Sequence, residues 1–265
     1  MRTRLYHVLS RAVRVLALVA AAVLGAVAPA LAQVTAVVTA DNAYRLGYGP
    51  AGGPATWLPT VENTTAAQIF SCAGGPETYT FNAGVADYVY IVAYSDKGVT
   101  QGVLGRFTLA GGQTVVTGAA GWQVLATGQN VSPGAGGVAP AQANAAIAAA
   151  APAAWKNAVN PAGSTPGLAV GEPNTAGGIF PAVCAIAGSP NFMPAAAMWM
   201  WNTSAPPSNA FNTNPGPSGH GEFLVFRLPV RALMCSCPRT YNTAEPAAIN
   251  RAIPVRADSG GRPRR

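Results

Sequence analysis

Charged side chains are scarce in this 265-residue chain: Asp, Glu, Lys and Arg make up 9%, against about 25% in ordinary soluble domains. Catalysis asks for titratable groups, and few are present. Histidine is rarer still, with His220 the only one beyond the N-terminal leader. A Ser-His-Asp triad would have to use it, in the loop "PSGHGEF", and no G-x-S-x-G elbow accompanies it. Phosphate-loop and dinucleotide fingerprints are absent. A glycosidase needs two facing carboxylates. Glu62, Glu77, Asp87, Asp96, Glu172 and Glu222 are available, and most lie beside turn residues. Asp96 in "SDKG" reads as a turn former. The expectation is a chain that is not an enzyme and carries no cofactor; an extracellular hydrolase is the third of three functional readings.

Basic charge is concentrated at the two ends. Arg2, Arg4, Arg11 and Arg14 precede an apolar run from Val15 to Val27, and Ala30-Leu31-Ala32 closes it. A basic start, a short apolar run and small residues two apart form a secretory signal peptide. The run is shorter than the roughly 20 residues a spanning helix needs. Cleavage is expected after Ala32, giving a secreted protein that begins at Gln33 and has no transmembrane segment. The formal net charge of +7 is therefore misleading. Without the leader there are 12 basic and 9 acidic residues. Six of the basic ones (Arg239, Arg251, Arg256, Arg262, Arg264, Arg265) lie in a C-terminal stretch, 239–265, that reads as a disordered tail. The body between is nearly neutral, with no footprint for nucleic acid. Few charges also means little protection against association.

What the chain has instead is short β-rich runs punctuated by Gly, Asn and Asp. They are "VTAVVTA" (34–40), "NAYRLGYG" (42–49), "ETYTFNAG" (77–84), "DYVYIVAYSDKG" (87–98), "QGVLGRFTLAGG" (101–112), "QTVVTG" (113–118) and "GWQVLATG" (121–128). This spacing predicts a mainly β chain built as a sandwich or barrel. The connections are too short for crossovers, so neighbours are expected antiparallel. Strand character returns in "AAAMWMWNTS" (195–204) and "GEFLVFRLPVRALM" (221–234). In the latter both faces are apolar, which predicts a central strand covered on both sides, closed or bulged at Pro229. About eight strands suit a jelly roll.

The segment 132–178 is Ala-, Pro- and Gly-rich. A short helix is expected over 141–151, stopped by Pro152. The whole segment reads as a helical and loop excursion from one antiparallel sandwich domain, 33–238. A linker between two domains is the alternative, and Trp155 argues for docking.

Cys72, Cys184, Cys235 and Cys237 make an even count in an exported chain, which favours disulfides. Four cysteines allow three pairings. A Cys235–Cys237 bridge would close a very small ring, so each is expected to reach back, one to Cys72 and one to Cys184. A zinc site would need more ligands than this Cys-x-Cys and His220 supply, and no metal is expected.

Aromatics suggest a binding surface. Tyr88, Tyr90 and Tyr94 share one strand face, opposite Val89, Ile91 and Ala93; Trp199 and Trp201 share another. Exposed, either face can stack on sugar rings. The alternative is that the Ala-rich segment covers the tyrosines, and that alternative is preferred. Asn63, Asn130 and Asn202 head glycosylation sequons, read as chance matches because the leader has a bacterial composition.

The stretches "VTADNAYRLGYG" (38–49), "YTFNAGVADYVYIVAYSDKGVTQGVLGRF" (79–107) and "GWQVLATG" (121–128) together resemble bacterial secreted β-sandwich proteins of the galactose-binding-like, jelly-roll type. The resemblance covers about 34–128, with "TADNxY" opening a strand and the tryptophan closing a run of strands. There is no sorting signal, and "GYGPAGGPATW" lacks the usual compact turn. The resemblance implies adhesion or carbohydrate binding by analogy of fold and carries over no functional residue. The expected function is a secreted structural or adhesive protein of the cell surface or matrix, partnered by polysaccharide or by itself. A carbohydrate-binding protein is second.

Overall fold

The computed structural model describes residues 30–96, 98–131, 137–159, 167–203, 210–211 and 221–234. His220, Cys235, Cys237, the first 29 residues and the basic tail lie outside the described residues.

Two sheets face each other. The first has the order β4(Glu77–Gly84), β1(Leu31–Asp41), β6(Gly102–Leu109), β11(Met198–Thr203), β10(Gly167–Pro173), β9(Ala158–Val159), with β7(Thr114–Val116) also paired to β6. The second has the order β3(Thr56–Glu62), β2(Ala43–Gly49), β5(Tyr88–Tyr94), β12(Glu222–Pro229), β8(Gln123–Asn130). Every pairing is antiparallel except the two-residue β9, which runs parallel to β10. The expected antiparallel β-sandwich is what forms; the strand orders above are its connectivity.

Period-two alternation builds the core. β1 turns Val34, Ala36, Val38 and Ala40 inward, β5 turns Val89, Ile91 and Ala93, and β12 turns Leu224, Phe226 and Leu228. β12 lies between β5 and β8, so the expectation of a central strand holds. Its other face, Phe223 and Val225, is buried in a second apolar cluster with Tyr90, Val92 and Tyr94. The cover over that face comes from the middle segment. α2(Pro140–Ala149) presents Ala143, Ala146 and Ile147 at i, i+3 and i+4, with Pro140 in its first turn. Asn144 Oδ1 fastens it by accepting from Ala55 N (3.0 Å) and Trp57 Nε1 (2.9 Å). A 3₁₀ turn at Pro152–Ala154 follows, with the proline at its start, where a missing N–H is tolerated, and Trp155 docks in the same cluster.

Three features depart from the sequence expectations. β3, "TWLPTVE", forms despite Pro59 because it is an edge strand, where a missing N–H costs nothing. α1(Ala66–Phe70) is set by a capping box between Thr65 and Gln68. β10 lies inside the expected 132–178 excursion, yet it is hydrogen-bonded into the first sheet beside β11. Of the described residues in that segment, those from Val138 to Trp155 supply the outer layer. α3(Val230–Met234) follows β12 directly, so Pro229 closes that strand.

The disulfide differs as well. Cys72 and Cys184 are bonded to each other, not to Cys235 and Cys237. Thr39 Oγ1 donates to Ile69 O and Cys184 N donates to Phe70 O (3.2 Å), which brings the loop after α1 and the Cys184 loop to one place beside the first sheet.

Candidate functional site

The aromatic faces proposed from sequence are not free surfaces. Tyr90 is 0% and Tyr94 2% exposed, and Trp199 and Trp201 are 0% exposed. Hydrophobic burial explains each case. The α2 layer covers the tyrosines, as the preferred alternative held. Trp199 stacks on Phe180 at 4.0 Å, and Trp201 lies against Phe226 between the sheets. Tyr88 alone stays half-buried. There Arg227 lies 4.8 Å from the Tyr88 ring and 3.7 Å from the Trp155 ring, with Nε donating to Gln123 Oε1 at 2.8 Å. The guanidinium fills the gap between aromatic planes, a cation–π seam that pins the outer layer. Burial pushes the Tyr90 hydroxyl up to about 12 although Arg227 beside it opposes the shift; that hydroxyl donates to Pro50 O at 2.7 Å.

The six carboxylates considered for catalysis each have a local partner. Glu62 accepts from Tyr94 Oη (2.7 Å), Glu77 from Tyr44 Oη (2.6 Å), Asp87 from Gly84 N (2.7 Å), Asp96 from Gly98 N (2.7 Å) and Glu172 from Phe180 N (2.5 Å). Glu222 accepts from Gly128 N. The Asp87 bond closes a turn, and the Glu222 bond joins β12 to its neighbour β8. The Glu62 bond reaches from β3 past β2 to β5, and the Glu77 bond ties β4 to β2 of the opposite sheet. The Glu172 bond holds the loop at Phe180, and the Asp96 bond is the expected turn.

A cleft of about 210 Å³ opens at one end of the sandwich, lined by Asn42, Ala43, Glu62, Asn63, Thr64, Tyr94 and Asp96. Asp41 lies next to it in sequence, buried, and accepts from Thr100 Oγ1 at 2.5 Å. Burial raises its carboxyl to about 6, against the Thr100 bond, and the charge of Asp96 adds to the rise. Asn63 is buried and donates Nδ2 to Ala40 O (3.0 Å); Asn202 is also buried. Neither sequon asparagine offers its amide to a glycan. The cleft provides hydrogen-bond acceptors, with Glu62 and Asp96 already engaged. Among the described residues no group of three or more His, Cys, Asp or Glu is placed to hold a metal ion.

The most regular surface lies elsewhere, on the outer face of the first sheet. Thr80 on β4 is opposite Thr35 on β1, Thr35 is opposite Thr108 on β6, and Thr108 is opposite Thr114 on β7. Four threonines thus run straight across four strands, about 4.8 Å apart by sheet geometry. Thr35 and Thr80 hydroxyls are 3.5 Å apart, and Thr108 and Thr114 hydroxyls 3.0 Å. Thr78, Asn82 and Gln33 flank the row, all exposed. The nearest charge, Arg106, is turned under the loop 190–192, over the Phe192 ring at 5.8 Å. A flat strip of hydroxyls, amides and methyls without free charge results. Strand alternation in the sequence assigns each threonine to a face; only the pairing register puts them in one row.

No family model, curated protein or solved structure matches the chain. What the fold and its surfaces define is a class: a two-sheet, disulfide-bonded β-sandwich with a helical outer layer and buried aromatics.

Proposed function

We propose that this chain is an exported, non-catalytic protein that works by surface contact, as a structural or adhesive component of the cell surface or extracellular matrix. The observation that carries the reading is the threonine row Thr80–Thr35–Thr108–Thr114 on a face of hydroxyls and amides, where the guanidinium of Arg106 is held against Pro190 and Phe192. Short hydroxyl side chains at uniform spacing lose little conformational entropy on contact and suit an extended, neutral, hydroxyl-rich polymer. Buried aromatics remove the stacking platform that the carbohydrate-binding alternative relied on. The Cys72–Cys184 bond supports an oxidising compartment, and among the described residues no helix is long and apolar enough to cross a membrane. Export is the function of the leader: the mature chain begins at Gln33, which trims Leu31 and Ala32 from the start of β1 and keeps its inward residues from Val34 onward. Intact-mass measurement on the exported protein reads that start directly.

The test is retention of the oxidised protein on insoluble cellulose, chitin and peptidoglycan. The double variant Thr35→Arg, Thr108→Arg puts two charges in the middle of the row without touching the core. Retention by the wild type and its loss in the variant is the expected result. Equal retention by both, or none by the wild type on any polymer, overturns the adhesive reading.

A further inference from the structure

Five strands are paired on one side only, β4, β7 and β9 in the first sheet and β3 and β8 in the second, and four of them are blunted, β7 by being three residues long. β3 carries Pro59 and lies opposite a bulge between Arg45 and Gly47. β8 is capped by Lys156, which exchanges two backbone bonds with Val124 (2.9 and 2.8 Å), and lies opposite a bulge at Glu222. β9 is two residues long. Proline, bulges, cover and brevity are the ordinary means of stopping edge-to-edge pairing. Among the described residues β4 uses none of them along its backbone edge, although Thr78 Oγ1 donates to Asn191 Oδ1 (2.8 Å) on its outer face. It runs eight residues in unbroken register with β1, and its only charge, Glu77, is tied to Tyr44 Oη under the sheet.

The direction of its backbone groups is settled by a bond within the exported chain: Ala110 N donates to Gln33 O, so odd residues of β1 bond to β6. Even residues of β1 therefore bond to β4, through Phe81, Tyr79 and the other odd residues of that strand. Thr78, Thr80 and Asn82 point their N–H and C=O groups out of the sheet. Gly84, next in that series, already bonds to Asp87 through both groups, so the open stretch is centred on Thr80.

We infer that two copies of this chain join edge to edge through β4, antiparallel, with Thr80 opposite the partner's Thr80. In this register Thr78 meets the partner's Asn82, and all three outward residues form hydrogen-bonded pairs, using all six open groups. Both faces match. Hydroxyls and amides meet on the outer face, and Tyr79 meets the partner's Phe81 on the inner face. The pairing extends the threonine row of each copy into one continuous sheet. It builds on the surface-contact reading above and names a second copy as one partner.

The experiment is sedimentation of the oxidised full-length exported chain over a concentration series. Wild type is expected as a reversible dimer. Thr80→Pro removes an N–H that no ladder bond uses, and Thr80→Lys places two cations face to face; both are expected to be monomeric. Thr114→Lys, on the same row but on β7, is expected to dimerise normally. Should the proline variant fail to fold, the lysine variant decides. Register is read by cysteine scanning: Thr80→Cys is expected to form a covalent dimer on mild oxidation, at a pair separation of about 5.5 Å that a disulfide accepts. Thr78→Cys, facing an asparagine, is not. A monomeric wild type, a dimer that survives Thr80→Lys, or equal crosslinking at both positions overturns the pairing. Polymer retention is read on the Thr35 and Thr108 variants, so either idea can fail alone.

Discussion

Cys72 is bonded to Cys184 across 112 residues of sequence, with Cα atoms 4.6 Å apart. The bond ties the loop after α1 to the loop before β11. Closing so long a loop restricts the unfolded chain strongly, and removal of such a bridge costs about 2–4 kcal/mol. Cys72→Ala together with Cys184→Ala is expected to lose that much in denaturant unfolding, and peptide mapping under non-reducing conditions is expected to recover the two cysteines in one linked fragment. A cross-link from Cys72 to Cys235 or Cys237 would contradict the fold.

Asn174 organises the same loop. It is 1% exposed; Nδ2 donates to Val183 O (2.8 Å) and Met193 O (2.9 Å), and Oδ1 accepts from Val183 N (2.6 Å). Asn174→Ala leaves two carbonyls and one N–H buried and unpaired, for a loss of about 2–4 kcal/mol. Asn174→Asp, which keeps the acceptor and removes both donors, is expected to be no better. Thermal unfolding checks both, and a loss under about 0.5 kcal/mol would contradict the account.

Asp41 makes stability depend on pH. Its carboxyl stands at about 6 in the folded chain against 3.8 ordinarily, so folding favours the protonated form. The contribution is complete below pH 3.8 and is lost as pH rises through about 6. Stability is therefore expected to fall by about 1–3 kcal/mol across that window, the reverse of an ion-paired carboxylate. Asp41→Asn should flatten the curve. Thr100→Val, which removes the bond favouring the ionised form, should carry the drop to higher pH and deepen it. Chemical unfolding from pH 4 to 7 measures all three proteins.

The aromatics proposed as a binding face are expected to behave as core. Trp201→Ala should cost about 3–5 kcal/mol, and Tyr90→Phe, which abandons the bond to Pro50 O, about 1 kcal/mol. Arg227→Ala, between the Tyr88 and Trp155 rings, should cost about 1–2 kcal/mol. Equilibrium unfolding gives these values. A folded Tyr90→Phe variant that loses polymer retention would return that residue to a binding role.

Local chemistry made much of the architecture legible in the sequence. Alternation in "YVYIVAY" and "EFLVFRLP" separates inward from outward residues, because side chains on a strand point to opposite faces. Pro152 and Pro229 end elements because proline has no N–H to give. Asp96 marks its turn through its own side chain. These are properties of residues a few positions apart. What lies on the outward side of β5 depends on a segment about 50 residues later, so strand alternation alone leaves Tyr90 and Tyr94 open as a binding face or as the seat of α2. The same limit holds for the cysteines, since three pairings satisfy the count and only the meeting of two distant loops selects Cys72 with Cys184. The threonine row is the clearest case. Thr35, Thr80, Thr108 and Thr114 carry no local signal, and a one-residue slip of any strand would scatter them over both faces. Long-range register, decided by burying the core, puts them in line.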